Sequence, residues 1–259
     1  MNSKYITCNF QGRLGNLIYE IACMLATAWR NNCTPVFSKR NNDYYKDLPA
    51  FQNYISPLLE QFYQYDERRI KFKEHHEAGD FQYKPIEITE NIKLFGFFTS
   101  SLYWDDYREK IIDIFSTNQE YVNSLAENIM RKYPGRQFVS VHVRRTDYVT
   151  DYKWDLPIAY YEIASLQFEN PIYVIFSDDT EWCKQNLDFM KEKVFVSDKD
   201  YIELLLMGKF HAHIIANSTF SAWGVILGDK DKTKKIIAPK TWSPVVHNQH
   251  IQEKHWILI

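Results

Sequence analysis

Two hydrophobic rhythms alternate along this chain. "KYITCNF" alternates as a strand does, "QGRLGN" reads as a turn, and "LIYEIACMLATAWRNN" carries apolar residues at helical spacing. A strand, a Gly-containing turn and a helix open an α/β unit, and "TPVFS" reads as the next strand. Residues 40–135 are less regular. "NIKLFGFFTSSLYW" reads as a strand followed by a loop, "DDYREKIIDIF" and "NSLAENIMRKY" read as helices, and "HH" at 75–76 falls in a charged loop. "YPGRQ" at 133–137 is a turn signal, which predicts domains of 1–135 and 136–259. Beyond it the strands "FVSVHV", "PIYVIF", "KVFVS", "HAHIIA" and "KKIIAP" alternate with four helical patterns. That order predicts an α/β fold with a parallel sheet covered by helices on both faces.

Composition narrows the classes. With 259 residues, 45% hydrophobic and 25% charged, the chain is globular. Its formal net charge of -2 argues against a general nucleic-acid binder, which shows a basic excess. The four cysteines form no C-x-x-C pair or zinc pattern. Reduced thiols, no signal-peptide core and no bilayer-length apolar run predict a cytoplasmic protein. Peripheral membrane contact is compatible with that reading. "NST" at 217–219 is a formal glycosylation acceptor, of no use without secretion.

In open α/β sheets, ligands bind outside the carboxyl ends of the strands, and three polar clusters fall at such ends. In "FVSVHVRRTDY", strand alternation points His142 and Arg144 the same way. The Arg144 fork suits phosphate oxygens; the alternative is an internal salt bridge of Arg144 and Arg145 with Asp147. In "FSDDTEW", Asp178 can accept hydrogen bonds from a base or ribose, or one of the two aspartates caps the next helix. A divalent metal is a third, weaker use for the pair. In "IIANSTFSAWG", Asn217, Ser218 and Thr219 open a helix, a place that binds anions or is simply capped. "GRLGN" also follows a strand, but its glycines match neither G-x-G-x-x-G nor a P-loop. His211 and His213 have strand spacing without evident ligand partners, so they read as core or surface histidines.

Together these residues resemble the α-1,2-fucosyltransferases of glycosyltransferase family eleven, over most of the chain. "GRLGNLIYEIA" resembles the G-R-L-G-N-Q motif, "LFGFFTSSLYW" the G-Y-F-Q-S segment, and "VSVHVRRTDY" the H-x-R-R-G-D-Y signature. "FSDDTEWCKQNL" and "HIIANSTFSAWG" follow in the family's order. Leu17, Thr99, Thr146 and Ala222 depart from the family pattern. The resemblance implies a GT-B fold, two Rossmann-like domains facing a cleft, with an N-terminal acceptor-side domain and a C-terminal donor-binding one. It implies no cofactor and no metal, GDP-fucose as donor, and inverting transfer to O2 of a terminal β-galactose on a glycan. By the same resemblance Arg144 meets the diphosphate with His142 beside it. Ser218, Thr219 and Phe220, with Asn217, lie near the β-phosphate and fucose. Asp178 lies near the nucleoside, and Arg13, Gly15 and Asn16 face the donor from the other domain. Asp147 is the nearest carboxylate for a base and equally an ion-pair partner. Two alternatives stay open: another linkage or acceptor for GDP-fucose, and a non-catalytic nucleotide-sugar or glycan-binding module.

Overall fold

The computed structural model of the chain describes residues 4–38, 45, 47–66, 69–79, 82–117, 119–243 and 251–259. They form two compact units that divide after Thr117, with Ile251 counted in the first. The first unit runs β1 (Tyr5–Cys8), α1 (Leu14–Arg30), β2 (Thr34–Ser38), α2 (Ser56–Leu59), β3 (Tyr63–Tyr65), β4 (Lys73–His76), β5 (Ile92–Phe95) and α3 (Arg108–Phe115). Its strands pair in the order β3-β2-β1-β5-β4, every pairing parallel. Parallel neighbours need a crossover, and α1 supplies it between β1 and β2. The segment read as a helix from its spacing is one, and 14 of its 17 residues are buried, so α1 is covered nearly all round. Among them is a carboxylate, Glu20.

His75 and His76 lie on a strand, β4, and not in a loop. Register with Leu94 and Phe95 of β5 makes the strand; "KEHH" has no apolar alternation that would have revealed it.

The second unit runs α4 (Gln119–Met130), β6 (Phe138–Val143), α5 (Ile158–Ser165), β7 (Ile172–Ser177), α6 (Thr180–Asn186), β8 (Lys193–Phe195), α7 (Asp200–Met207), β9 (Ala212–Ile214), α8 (Thr219–Gly228), β10 (Lys235–Ala238) and β11 (Ile257–Leu258). Its strands pair in the order β11-β10-β9-β6-β7-β8, again all parallel. The central strand β6 is buried at all six positions, as a strand covered on both faces must be. Burial of Val139, Val141 and Val143 contributes about 1.5–3 kcal/mol each. Two features depart from the sequence reading. A further strand, β11, follows β10, and α4 belongs to the second unit because it packs on α7. The boundary therefore precedes α4 instead of falling at 135/136. Where α8 ends, its backbone meets the turn after α7: a Cβ at Gly228 would lie 2.1 Å from the Gly208 carbonyl oxygen.

Both sheets reverse direction once. In the second, the chain leaves β6 for β7 and β8, then returns to β9 on the other side. In the first, it leaves β1 for β2 and β3, and β5 returns on the other side of β1. Such a reversal opens a crevice beyond the strand ends. Residues 144–148 and 217–220 flank it in the second unit; residues 9–16 and 96–100 flank it in the first.

Candidate functional site

In the second unit, β6 delivers His142 and Arg144 to the rim. His142 is 5% exposed and its ring packs on Phe220, centroids 5.3 Å apart. Burial pushes its pKa down to about 4; Asp178 opposes the shift and Arg144 adds to it. The imidazole is therefore neutral at pH 7, and its Nδ1 is buried without a hydrogen-bond partner.

Arg144 is held by carboxylates. Nη1 lies 2.6 Å from Asp178 Oδ2, Nη2 donates to Asp147 Oδ1, and the guanidinium sits 5.5 Å from the Tyr148 ring centre. Asp178 also accepts the Arg145 N–H at 2.8 Å and the Thr146 hydroxyl. Its carboxylate thus fills a nest of one guanidinium, one amide and one hydroxyl, the donor set that suits a phosphate oxygen. Arg145 stacks over Trp182 at 3.9 Å and pairs with Asp179 at 3.3 Å and Asp155 at 3.6 Å. The salt bridge foreseen for both arginines with Asp147 is thus divided: Asp147 and Asp178 hold Arg144, while Asp155 and Asp179 hold Arg145. Capping accounts for one aspartate only, since Asp179 accepts the Trp182 N–H of α6 at 3.1 Å.

Beside β6, β9 delivers Asn217 to the start of α8. Asn217 is 4% exposed. Its Nδ2 donates to the Trp154 and Trp242 carbonyls at 3.0 and 3.1 Å, its carbonyl accepts from Tyr148 Oη at 3.0 Å, and its Oδ1 is buried without a partner. So engaged, its amide is not open to glycosylation. Ser218 stands at the N-cap in extended conformation, but its side chain makes no capping bond. Helix capping by Ser218 is therefore not what the segment does. Thr219 and Phe220 are half-buried in the first turn. The structure thus gathers His142, Arg144, Asp147, Asp178, Asn217, Ser218, Thr219 and Phe220 on one sheet edge.

The aromatic partners of this edge escaped the sequence reading. Tyr148 closes a cluster with Tyr152 and Trp154, centroids 5.3–6.1 Å apart, and ties Arg144 to Asn217. Its place in the "RRTDY" stretch was the available signal. His211 and His213 are structural, as expected: His211 Nδ1 accepts the Phe138 N–H, and His213 Nδ1 shares a hydrogen with Ser140 Oγ at 2.7 Å.

Arg13, Gly15 and Asn16 lie on the first unit's rim. Arg13 is the extended N-cap of α1, and Gly15 is buried in its first turn. Gly12 adopts φ +72, and a Cβ there would meet Asn16 Nδ2 at 2.2 Å, so this glycine is required by the turn. Glu20 Oε1 and Oε2 both accept the Gln11 N–H at 3.1 Å, anchoring the loop from beneath. Burial raises the Glu20 pKa well above the usual range, the Gln11 hydrogen bond opposes this, and Glu77 adds to it. Among the described residues, no group of three or more His, Cys, Asp or Glu side chains is arranged to hold a metal ion. No helix among them is long and apolar enough to cross a membrane.

Comparison with known proteins gives the following matches. The profile described as Glycosyl transferase family 11 matches residues 2–259. An alpha-1,2-colitosyltransferase of Escherichia coli is 31% identical over 170 residues, covering 59% of this chain and 56% of the relative. A galactoside alpha-(1,2)-fucosyltransferase 2 of Pongo pygmaeus is 28% identical over 253 residues, covering 87% of this chain and 69% of the relative. Among solved structures, the NodZ alpha-1,6-fucosyltransferase, of a kind known from Bradyrhizobium, was soaked with GDP-fucose; it superposes with a TM-score of 0.54 at 15% identity. The match covers 87% of this chain and 93% of that one, and shows a shared GT-B type fold. The chain spans little more than half the length of the colitosyltransferase.

Proposed function

Because the chain belongs to glycosyltransferase family 11, we propose that it transfers L-fucose from GDP-fucose, with inversion, to O2 of a terminal β-galactoside on a glycan. The observation that carries this reading is the convergence of Arg144 and the start of α8 at the strand reversal beside β6. Fucose transfer leaves negative charge on the departing diphosphate. A guanidinium fixed by its neighbours and the positive end of α8 stabilise that charge as it develops. The Asp178 carboxylate already marks an anion position against Arg144, Arg145 N–H and Thr146. A phosphate oxygen reaching the same donors takes over that position, and Asp178 turns to the nucleoside.

Neutral His142, packed on Phe220, shapes the wall beside the arginine without adding charge. The chemistry asks nothing of a metal, since fixed donors supply the stabilisation. Asp147 is committed to Arg144 and is poorly placed to serve as the base.

Support for the donor and acceptor comes from relatives named for fucose and galactoside. One relative is named for colitose, so the sugar carried is the sharper question. The test is incubation with GDP-fucose or GDP-colitose and a panel of β-galactosides, followed by linkage analysis. A 2-linked α-fucosyl product supports the reading. A colitosyl product alone changes the donor, and GDP binding with neither transfer nor donor hydrolysis replaces the enzyme with a binding module.

A further inference from the structure

Beyond Arg144 the chain leaves β6 in a loop whose aromatic tip the donor chemistry above does not use. Tyr148–Tyr152 is a π-helical turn, and Lys153 ends it in the left-handed conformation, φ +57 and ψ +42. A lysine is rarely left-handed, and both π-helical turns and such outliers gather at functional sites. The loop is firmly braced. The Val149 N–H donates to Arg145 O at 2.7 Å and the Trp154 N–H to Tyr148 O at 2.9 Å. Lys153 Nζ donates to Val149 O at 2.6 Å. Both ends of the turn rest on one residue: Tyr148 Oη donates to Asn217 O, and Asn217 Nδ2 donates to Trp154 O. Within this frame Tyr152 stays 53% exposed. Its ring centre lies 5.3 Å from that of the half-buried Trp154, the planes inclined by 36°. Tyr148 meets both rings edge-on, at 81° and 79°. A braced loop that still shows an aromatic face to water is suited to receive a ligand with an apolar face.

We propose that Tyr152 and Trp154 form the subsite for the sugar of the donor, stacking on the apolar face of its pyranose ring. This rests on the transfer reaction proposed above and names the part of the second unit that holds the sugar. The order of the strands selects the sugar over the base. Strand β6 lies between β7 and β9. Asp178, assigned to the nucleoside, directly follows β7, and Arg144, assigned to the diphosphate, directly follows β6. The aromatic loop leans the other way, onto Asn217 beyond β9 and beside the start of α8. A sugar joined to the second phosphate continues along that line, away from Asp178. A pyranose shows C–H groups on its faces and hydroxyls around its rim. Tyr and Trp meet such a face with a large, rigid, amphipathic ring at small cost in side-chain entropy.

The decisive variant is Tyr152→Ala, which removes an exposed ring and none of the hydrogen bonds that brace the loop. Calorimetry with GDP and with GDP-fucose, thermal melting and steady-state transfer are measured on the full chain, with Tyr152→Phe alongside. The expected result is a GDP-fucose affinity about tenfold weaker in Tyr152→Ala. GDP affinity and melting temperature stay unchanged, and Tyr152→Phe matches the parent protein. An unchanged GDP-fucose affinity overturns the proposal. So does an equal loss for GDP and GDP-fucose, which makes the ring a contact of the nucleotide or a brace for Arg144. A loss in Tyr152→Phe as deep as in Tyr152→Ala overturns stacking, because the ring is still there. A rise in the acceptor Michaelis constant alone gives the platform to the acceptor and overturns it too. In each of these cases a parent protein that transfers fucose leaves the transferase reading standing. A parent protein that binds neither GDP nor GDP-fucose overturns both.

Discussion

Arg144 Nη1 lies 2.6 Å from Asp178 Oδ2, and both side chains are largely withdrawn from water, at 16% and 21% exposure. The cation proposed to meet a diphosphate is therefore part of an internal charge network. Arg144→Ala is expected to reduce transfer by a hundredfold or more, about 3 kcal/mol of barrier. It also leaves Asp147 and Asp178 without their shared counterion, lowering stability by about 1–3 kcal/mol. Adding Asp178→Ala removes part of that repulsion, so the double variant regains stability without regaining turnover. Denaturant melts and steady-state kinetics check both halves; activity returning with stability would reduce Arg144 to a scaffold.

Stability should fall with acid. His142 and His213 are both kept neutral by burial, with folded pKa values below the ordinary 6.5, about 4 for His142. Below 6.5 the unfolded chain binds protons that the native one refuses. The stabilising contribution is whole above that pH and is lost as pH drops toward the folded values, by up to about 1.4 kcal/mol per pH unit for each histidine. Urea midpoints at pH 7.5, 6.0 and 5.0 read the slope, and His142→Gln should flatten it.

Gly12→Ala forces a side chain into a φ of +72 and against Asn16. A cost of about 1–3 kcal/mol is expected, read as a lower melting temperature. Gly79→Ala is the control, since a Cβ there meets nothing within 4 Å. Equal melting temperatures for the two variants would remove the conformational requirement at Gly12.

Transfer is expected to persist in excess EDTA, because the proposed reading meets leaving-group charge with fixed donors. Activity lost on chelation and restored by Mn²⁺ would reassign Asp178 and Asp179 to a metal.

Much of this was legible in the chain, for identifiable reasons. The strands "FVSVHV" and "PIYVIF" are apolar because both sheet faces are covered, so burial and sequence tell the same story. The rim followed from the rule that strand ends carry ligands. What was not legible depends on register and distant pairing. The link from Arg144 to Asp178 joins neighbouring strands, and no local spacing reports it. Strand β4 is held by its neighbour β5, against a polar sequence. Glu20 did leave a trace, a lone acid inside an apolar helical stretch, whereas Glu77 left none, since the amides that hold its carboxylate belong to a loop 20 residues away.

The contact between Gly208 and Gly228 has a consequence for mutational surveys. Helix α8 starts at the rim with Thr219 and ends on that contact, ten residues and about 15 Å away. A side chain at 228 has no room against the Gly208 backbone, so one of the two helices must shift, and Thr219 and Phe220 are carried on the one that ends there. Screens for lost activity will therefore flag Gly228 beside the rim residues, though it touches no reacting atom.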